Sequence, residues 1–251
     1  MTQTLLQLTD IHLLESANES MGPINTDQTL QAVLAQVKQD PEYQQLNAVL
    51  LTGDLAHAGK TTAYQRLVDY MKPIQAPVYW LPGNHDVLST MQAAFHGHFR
   101  EEHNFQQGAW RVVMLNSLWP EHVEGLLSEF ELQKLEKALV DHPDQPTLIA
   151  VHHHLQDPCP IDKVANLTNA DQLIAIVKQH PQVKMVINGH VHAEREQYVE
   201  GICSISTPST CFQFKIDNNS VSIDEVTPPG YRWFLLHDDG SFETRVGHVE
   251  H

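Results

Sequence analysis

Basic residues and long apolar runs are scarce in this sequence, and each shortage excludes a class of protein. The 251 residues include 15 lysine and arginine residues against 31 aspartate and glutamate residues, for a formal net charge of -16. A protein this acidic repels a polyanion such as DNA, so we expect no nucleic-acid partner. No apolar stretch approaches the roughly 20 residues that a membrane-spanning helix needs, and we expect no membrane partner.

Cysteine is also scarce. The three cysteines, Cys159, Cys203 and Cys211, are odd in number and form no C-x-x-C pair. This pattern argues against a disulfide framework and a thiolate zinc site, and favours free thiols in a reducing compartment. The N-terminus has neither the basic segment nor the long apolar segment of a secretory signal peptide. We therefore expect a cytoplasmic protein.

The hydrophobic periodicity alternates between strand and helix as far as about residue 195. Strand periodicity covers residues 4–9, 46–51, 78–81, 110–115, 147–151 and 183–187. Helical periodicity covers 26–39 and 61–71, and Ser128 and Asn169 are expected to cap helices that end near 140 and 179. Residues 196–251 indicate β-hairpins instead. This order predicts an α/β protein, a single domain over 1–251 with two packed sheets and helices outside them.

Histidine is the residue type in excess, with 17 copies, and several stand beside acidic or amide residues directly after predicted strands. In an open α/β sheet, ligands collect outside the carboxyl ends of the strands. We therefore expect these polar clusters to converge on one edge of the sheet. The clusters are Asp10-Ile11-His12, Gly53-Asp54, Gly83-Asn84-His85-Asp86, His152-His153-His154 and Gly189-His190-Val191-His192.

The residue types in these clusters suit a metal centre. Carboxylate, imidazole and amide-oxygen ligands fit manganese, iron, zinc or cobalt, and the absence of thiolate argues against a closed structural zinc site. Seven plausible ligands exceed the needs of one ion and suit two ions that share a carboxylate. Each motif alone is weak, since Gly-Asp is a common turn and D-x-H arises by chance. The prediction depends on five such motifs occurring in order, each after a predicted strand.

The ordered set D-x-H, G-D, G-N-H-D, H-H and G-H-x-H resembles that of the calcineurin-like metallophosphoesterases and spans Asp10 to His192. The resemblance implies a four-layer αββα sandwich, in which two mixed β-sheets are flanked by helices. It also implies two divalent metal ions (Fe/Mn, Mn/Mn or Zn) bridged by Asp54. The implied ligands are Asp10, His12, Asp54 and His192 for one ion, and Asp54, Asn84, His152 and His190 for the other.

The same resemblance implies roles for residues around the ions. His85 matches the family's non-ligating histidine beside the phosphate, and we expect it to act as general acid toward the leaving oxygen. Asp86 resembles its orienting partner, because a buried acid fixes the tautomer of an imidazole; a turn-capping role is the alternative. The expected substrate contacts, several of which have a plainer interpretation as strand-end caps, are His57, Asn84, His85, Asn116 and His153.

The C-terminal part resembles the class III 3',5'-cyclic nucleotide phosphodiesterases of bacteria, in residues 207–215, 228–232 and 235–240. This resemblance implies a small-molecule cyclic nucleotide or another phosphodiester as substrate, and cyclic AMP in particular, with 5'-AMP as product. Our hypothesis is two-metal hydrolysis, in which a water activated by the ions attacks phosphorus and His85 protonates the ribose 3' oxygen. Phe212 and Phe214 are either adenine-stacking or core residues.

Other functions within the superfamily remain alternatives, namely a broader phosphodiesterase, a nucleotide pyrophosphatase or a DNA nuclease, the last disfavoured by the net charge. A protein phosphatase is disfavoured because the sequence Gly-Asp-Leu-Ala-His57 lacks the Asp-Arg pair of that branch. A catalytically silent scaffold of this fold should have lost one or more ligands, and all seven residue types are present. The sequence predicts neither the oligomeric state nor the base-recognition residues.

Overall fold

The computed structural model describes residues 1–155, 166–217, 220–224 and 226–249, so Cys159 lies outside the described residues. Cys203 and Cys211 are free thiols, as predicted. None of the helices in the described part of the chain combines the length and the apolar composition that crossing a membrane requires.

One six-stranded sheet of the described chain has the order β14-β13-β1-β2-β3-β4. Strands β1 to β4 run parallel to one another, and β13 and β14 extend the sheet as an antiparallel hairpin. The bounds are Thr2–Leu8 for β1, Leu46–Thr52 for β2, Val78–Leu81 for β3, Phe99–Arg100 for β4, Gly230–His237 for β13 and Phe242–His248 for β14.

A second six-stranded sheet in the described residues has the order β5-β6-β7-β8-β10-β9. Its inner strands are parallel, and β5 and β9 are antiparallel edges. Strands β11 and β12 form a separate hairpin. The bounds are Asn104–Gln107 for β5, Trp110–Leu115 for β6, Thr147–Val151 for β7, Val183–Asn188 for β8, Arg195–Val199 for β9, Ile202–Ser206 for β10, Gln213–Asp217 for β11 and Ser220–Asp224 for β12.

The central strands of both sheets are buried on both faces, because one face packs against the other sheet and the opposite face packs against helices. In β1, Leu5 packs in the core between the two sheets, whereas its neighbour Leu6 packs against helices outside the first sheet. In β7, Leu148 and Ile149 divide in the same way between the central core and the helices of the second sheet. The helices are α1 (Thr26–Val37), α2 (Thr61–Met71), α3 (Leu88–Ala94), α4 (Glu129–Asp141) and α5 (Ala170–Lys178), with a 3-10 turn at Pro41–Gln45. The predicted αββα sandwich is confirmed.

The two predicted helix caps have different outcomes. Ser128 caps α4 through its Oγ, which accepts the Glu131 N–H at 3.2 Å. The reciprocal half of the capping box is absent from the described contacts, because the Glu131 carboxylate accepts the Asn116 N–H instead, at 2.9 Å. Asn169 is the N-cap residue of α5, as predicted, but its side chain makes no capping bond to the helix. It accepts the Leu127 N–H and donates to the Leu127 carbonyl instead, which ties the start of α5 to the loop before α4.

The predicted polar clusters follow strands of both sheets, so the expectation that they meet at one edge of a single sheet is wrong. Strands β1, β2 and β3 of the first sheet and β7 and β8 of the second end on the same side of the sandwich. The ring Nδ1 of His152, after β7, donates to the carbonyl of Thr52, at the end of β2, over 2.8 Å. The candidate site therefore lies across the two sheets.

Candidate metal centre

The turns that carry the predicted ligands adopt an unusual backbone conformation. Left-handed φ values are uncommon for residues with a side chain and cost energy unless the surroundings hold them. Here the turns are held by backbone bonds such as that from the His12 N–H to the Asp54 carbonyl, at 2.8 Å. This conformation lets two residues spaced i and i+2 direct their side chains to one point. The left-handed residues are Asp10 (φ 52), His12 (φ 52), Asp54 (φ 53), His190 (φ 69) and His192 (φ 43).

Two glycines allow the loops after β2 and β3 to approach each other. Gly53 has a φ of 96, and a Cβ atom there would lie 2.8 Å from the backbone nitrogen of Gly83. A Cβ atom on Gly83 would in turn lie 2.5 Å from the backbone nitrogen of Asp54. Side chains at these positions would force the loops apart, so glycine is required for Asp54 to reach its place.

The two carboxylates lie among three imidazoles, those of His12, His152 and His192. Oδ2 of Asp54 is 3.6 Å from Nε2 of His12 and 3.4 Å from Nε2 of His152. Oδ1 of Asp10 is 3.4 Å from Nε2 of His192, and the Nε2 atoms of His12 and His192 are 3.2 Å apart. Asp54 thus lies between histidines that the family resemblance assigns to two different ions, which is the position that a bridging ligand needs.

The nitrogen that each imidazole can offer to a metal ion follows from what the opposite ring nitrogen binds. Nδ1 of His152 donates to the Thr52 carbonyl, and Nδ1 of His192 donates to the Phe212 carbonyl at 2.8 Å. A carbonyl can only accept, so in both rings the Nε2 lone pair is left for the centre. His190 presents its other nitrogen, with Nδ1 3.3 Å from Nε2 of His152.

The amide of Asn84 supplies a test of whether these residues fit a metal ion. Its Oδ1 is buried and has no hydrogen-bond partner among the described residues. An unsatisfied buried acceptor costs free energy, and a bound cation would satisfy it. The remaining donors have the chemistry of hard or borderline metals, and ligand atoms of Asp10, Asp54 and His152 lie within 4.8 Å of one another. The donor set therefore fits metal ions.

Burial and mutual charge set the protonation states in the centre. Burial would raise the pKa of Asp54, but His152 and His12 hold it well below its usual range. Burial lowers the pKa of His12 to about 3 and that of His190 to about 4. Burial would also lower the pKa of His152, but Asp54 and Asp10 raise it to about 9. Ionised carboxylates and neutral imidazoles are the forms that bind metal, so a cation would displace the His152 proton.

His85 lies beside the centre with its ring orientation fixed. Its backbone N–H donates to Oδ1 of Asp54 at 2.9 Å, and its Nδ1 donates to the His57 carbonyl at 2.9 Å. The ring centroid is 4.8 Å from those of both His12 and His57. Because Nδ1 is engaged, Nε2 is the atom left for exchange of a proton with a substrate.

Asp86 does not orient His85, and that prediction is wrong. Its buried carboxylate accepts the N–H groups of Leu55, Ala56 and Gly83, and the Tyr64 hydroxyl donates to it at 2.8 Å. Burial and the nearby Asp54 raise the pKa of Asp86 to about 6. Asp86 therefore braces the two loops that carry Asp54 and Asn84, as the turn-capping alternative implies, and the His57 carbonyl orients His85.

The other predicted substrate contacts differ in what they can offer. His57 is half-buried and its Nδ1 lies 3.3 Å from Nδ1 of His12. Asn116 closes a turn, because its Oδ1 accepts the Leu118 N–H at 2.9 Å.

His153 is fully buried, with Nδ1 2.7 Å from the Ser117 hydroxyl and Nε2 3.1 Å from the Val123 carbonyl. Both ring nitrogens of His153 are engaged, so the prediction that it contacts substrate is wrong.

Comparison with known proteins gives the family. The sequence model of the calcineurin-like phosphoesterase family matches residues 4–194 of this chain. The chain belongs to this family. A 3',5'-cyclic-nucleotide phosphodiesterase of Nostoc sp. is 34% identical over 98% of this chain and 92% of its own length. The 3',5'-cyclic adenosine monophosphate phosphodiesterase CpdA of Escherichia coli is 35% identical over 96% of this chain and 88% of its own length.

Solved structures show the same fold at lower identity. A purple acid phosphatase from yellow lupin superposes with a TM-score of 0.69 at 16% identity, over 98% of this chain and 51% of that chain. A dimetal phosphatase from Danio rerio superposes with a TM-score of 0.62 at 14% identity, over 99% of both chains. The αββα sandwich of this chain is therefore the fold of these phosphatases over nearly its whole length.

Several residues that support the centre of this calcineurin-like phosphoesterase were not predicted from the sequence. The Thr9 hydroxyl donates to Oδ2 of Asp10 at 2.8 Å, and the Ser209 hydroxyl donates to the Asp10 carbonyl at 2.7 Å. Ser209 lies in the 207–215 segment that resembles the cyclic nucleotide phosphodiesterases, so a signal for it was present. The roles of the Thr52, His57 and Phe212 carbonyls have no signal in the sequence, because every residue has a carbonyl.

Proposed function

We propose that this calcineurin-like phosphoesterase hydrolyses 3',5'-cyclic AMP to 5'-AMP with the aid of two divalent cations. The observation that carries the proposal is the position of Asp54, whose Oδ2 lies within 3.6 Å of imidazole nitrogens from both sheets. The relatives named cyclic nucleotide phosphodiesterases, which align with nearly the whole chain, support the substrate.

The proposed ligands come from the ends of five strands. When bound, the cations would neutralise charge on the phosphate oxygens and lower the pKa of a water that attacks phosphorus. Asn84 offers its orphaned Oδ1 to a cation, which leaves its NH₂ group as a donor to a phosphate oxygen. The ligands are Asp10, His12, Asp54 and His192 on one side, and Asp54, Asn84, His152 and His190 on the other.

His85 is the proposed general acid. As water adds to phosphorus, the bond from phosphorus to the ribose 3' oxygen breaks, and that oxygen needs a proton. Nδ1 of His85 donates to the His57 carbonyl, so the proton transferred is the one on Nε2. The bond from the His85 N–H to Oδ1 of Asp54 fixes the distance between the acid and the shared ligand.

Hydrolysis by the purified protein tests the proposal. Metal-stripped protein would be reloaded with Mn²⁺ and incubated with cyclic AMP, and the products separated by chromatography. We expect stoichiometric 5'-AMP from the wild type and none from Asp54→Ala, while Asp69→Ala, which changes an exposed aspartate, retains full activity.

Two outcomes would contradict parts of the proposal. Cleavage of a bis-aryl phosphodiester without turnover of cyclic AMP would support the metal centre and contradict the substrate assignment. Failure to cleave either diester with any of manganese, iron or zinc would favour a catalytically silent scaffold.

A further inference from the structure

A cleft of about 910 Å³ lies beside the metal centre. One wall is the segment from Met21 to Asn25 with the first turn of α1, and the other is β12 with the residues before β13. Pockets of roughly 300–1,000 Å³ are the size class that binds small ligands. The cleft therefore has room for a group much larger than the phosphate that the metal centre would hold.

Phe212 belongs to both the cleft and the metal centre. It lines the cleft, and its carbonyl accepts Nδ1 of His192 at 2.8 Å. Its ring centroid lies 4.7 Å from the ring of His192 and 6.4 Å from that of His12. Phe212 is therefore the lining residue through which the cleft borders the metal centre.

The cleft lining suits a neutral, planar group and disfavours a phosphate. Ile24, Ile223 and Pro228 provide apolar surface, and the ring of Phe212 provides an aromatic face. The carboxylate of Asp224 carries the only formal charge among the described lining residues, and it repels anions. That carboxylate accepts the Val226 N–H and the Thr227 hydroxyl, so it offers little to a cation.

We propose that this cleft binds the nucleoside half of the substrate, with the base packed against Phe212 and the phosphate at the metal centre. The inference rests on the proposed function and adds the base-binding site to it. The amide of Gln28, on the first turn of α1, lines the cleft and supplies one donor and one acceptor for the edge of a base. Aromatic stacking against one face and apolar contact on the other tolerate any base, so discrimination among bases would fall to polar lining groups such as the Gln28 amide.

Phe214 provides a matched control for Phe212. Its ring centroid is also 4.7 Å from that of His192, but Phe214 does not line the cleft. We expect Phe212→Ala to lower kcat/KM for cyclic AMP about tenfold or more through KM, because stacking on a base is lost. For a bis-aryl phosphodiester, Phe212→Ala should change kcat/KM no more than Phe214→Ala does. Equal losses in both variants and with both substrates would mean that Phe212 acts only by supporting His192, and would overturn the inference.

The far wall of the cleft gives a second variant. Ile223 is 55% exposed and lies on β12, away from the histidines, so Ile223→Ser removes apolar surface from the cleft without touching a ligand. We expect KM for cyclic AMP to rise several-fold while kcat/KM for the aryl diester is unchanged. An unchanged KM for cyclic AMP would exclude this wall from the binding site.

Binding of adenosine separates the cleft from the proposed activity. Protein loaded with Zn²⁺ and methyl-labelled at isoleucine would be titrated with adenosine, which carries no phosphate. We expect saturable NMR shifts at Ile24 and Ile223, and none in Phe212→Ala. Absence of shifts in the wild type would overturn the cleft assignment even if cyclic AMP is hydrolysed, whereas shifts without hydrolysis would keep the cleft and sink the proposed function.

Discussion

His12 and His57 meet through their Nδ1 atoms, which are 3.3 Å apart. Nε2 of His12 faces the centre, 3.2 Å from Nε2 of His192, so a neutral His12 that ligates through Nε2 carries its proton on Nδ1. That proton is donated to Nδ1 of His57, which leaves the His57 proton on Nε2. His57 is thus the residue that fixes the tautomer of His12, a role that the Thr52 and Phe212 carbonyls have for His152 and His192.

Replacement of His57 should therefore weaken metal binding. We expect His57→Ala to lower the affinity of the centre for Mn²⁺ about 10–100-fold, because loss of an outer partner frees the ligand ring. His57→Asn, whose amide oxygen can accept the same proton, should restore part of the affinity. Isothermal titration of the metal-free protein measures both, with His237→Ala on β13 as the control. Unchanged affinity in His57→Ala would contradict this role.

Loss of His85 should depend on the leaving group. A general acid contributes about 10²–10⁴-fold when the leaving oxygen is basic and less when it is not. We expect His85→Ala to lower kcat by that factor for cyclic AMP, whose leaving group is an alkoxide, and much less for a 4-nitrophenyl diester. Steady-state kinetics with the two substrates checks this, with metal content measured in parallel. Equal losses for both would show that His85 only positions the substrate.

Asp86 should be required for folding stability. Asp86→Ala leaves the N–H groups of Leu55, Ala56 and Gly83 and the Tyr64 hydroxyl without their buried acceptor. We expect the free energy of unfolding to fall by about 3 kcal/mol or more, since each buried unsatisfied group costs about 1–3 kcal/mol. Urea unfolding measures the change against Asp69→Ala, an exposed site where little change is expected. A loss of activity in Asp86→Ala with stability intact would contradict this purely structural role and would favour the predicted role of Asp86 as a residue that positions the catalytic groups.

The sequence predicted which polar residues would meet more reliably than what each of them would contact. Polar residues directly after apolar strands are visible in the chain, so Asp10, Asp54 and His190 were found from pattern alone. The choice of His152 rather than His153 as a ligand came from the family resemblance, because β7 is buried on both faces and its periodicity does not separate them. The geometry separates the two histidines. Both ring nitrogens of His153 are hydrogen-bonded, to Ser117 and Val123, whereas Nε2 of His152 faces the centre.

The elements missed in the sequence are those with weak local signals. Helix α3 is seven residues long and has no side-chain cap, and β4 has two residues. Strand β9 is an edge strand in which half-buried and exposed residues alternate, with charge at Arg195 and Glu196. Such segments are fixed by the sheets and helices they join rather than by their own composition.

Gly83→Ala tests whether the approach of the two loops is required for the centre. The added Cβ atom would lie 2.5 Å from the backbone nitrogen of Asp54, and that contact is with backbone, so the Asp54 loop must move. We expect metal affinity and hydrolysis of any diester to fall together by about tenfold or more, because a ligand displaced by a fraction of an ångström no longer completes the centre.

Gly97→Ala is the matched control, since a Cβ atom there meets nothing within 4 Å and only its φ of 71 carries strain. It should lose about 1 kcal/mol of stability and no metal affinity. If Gly83→Ala bound metal as tightly as Gly97→Ala, the ligand positions would tolerate the loop displacement, and steric fit at Gly83 would not be what sets the centre.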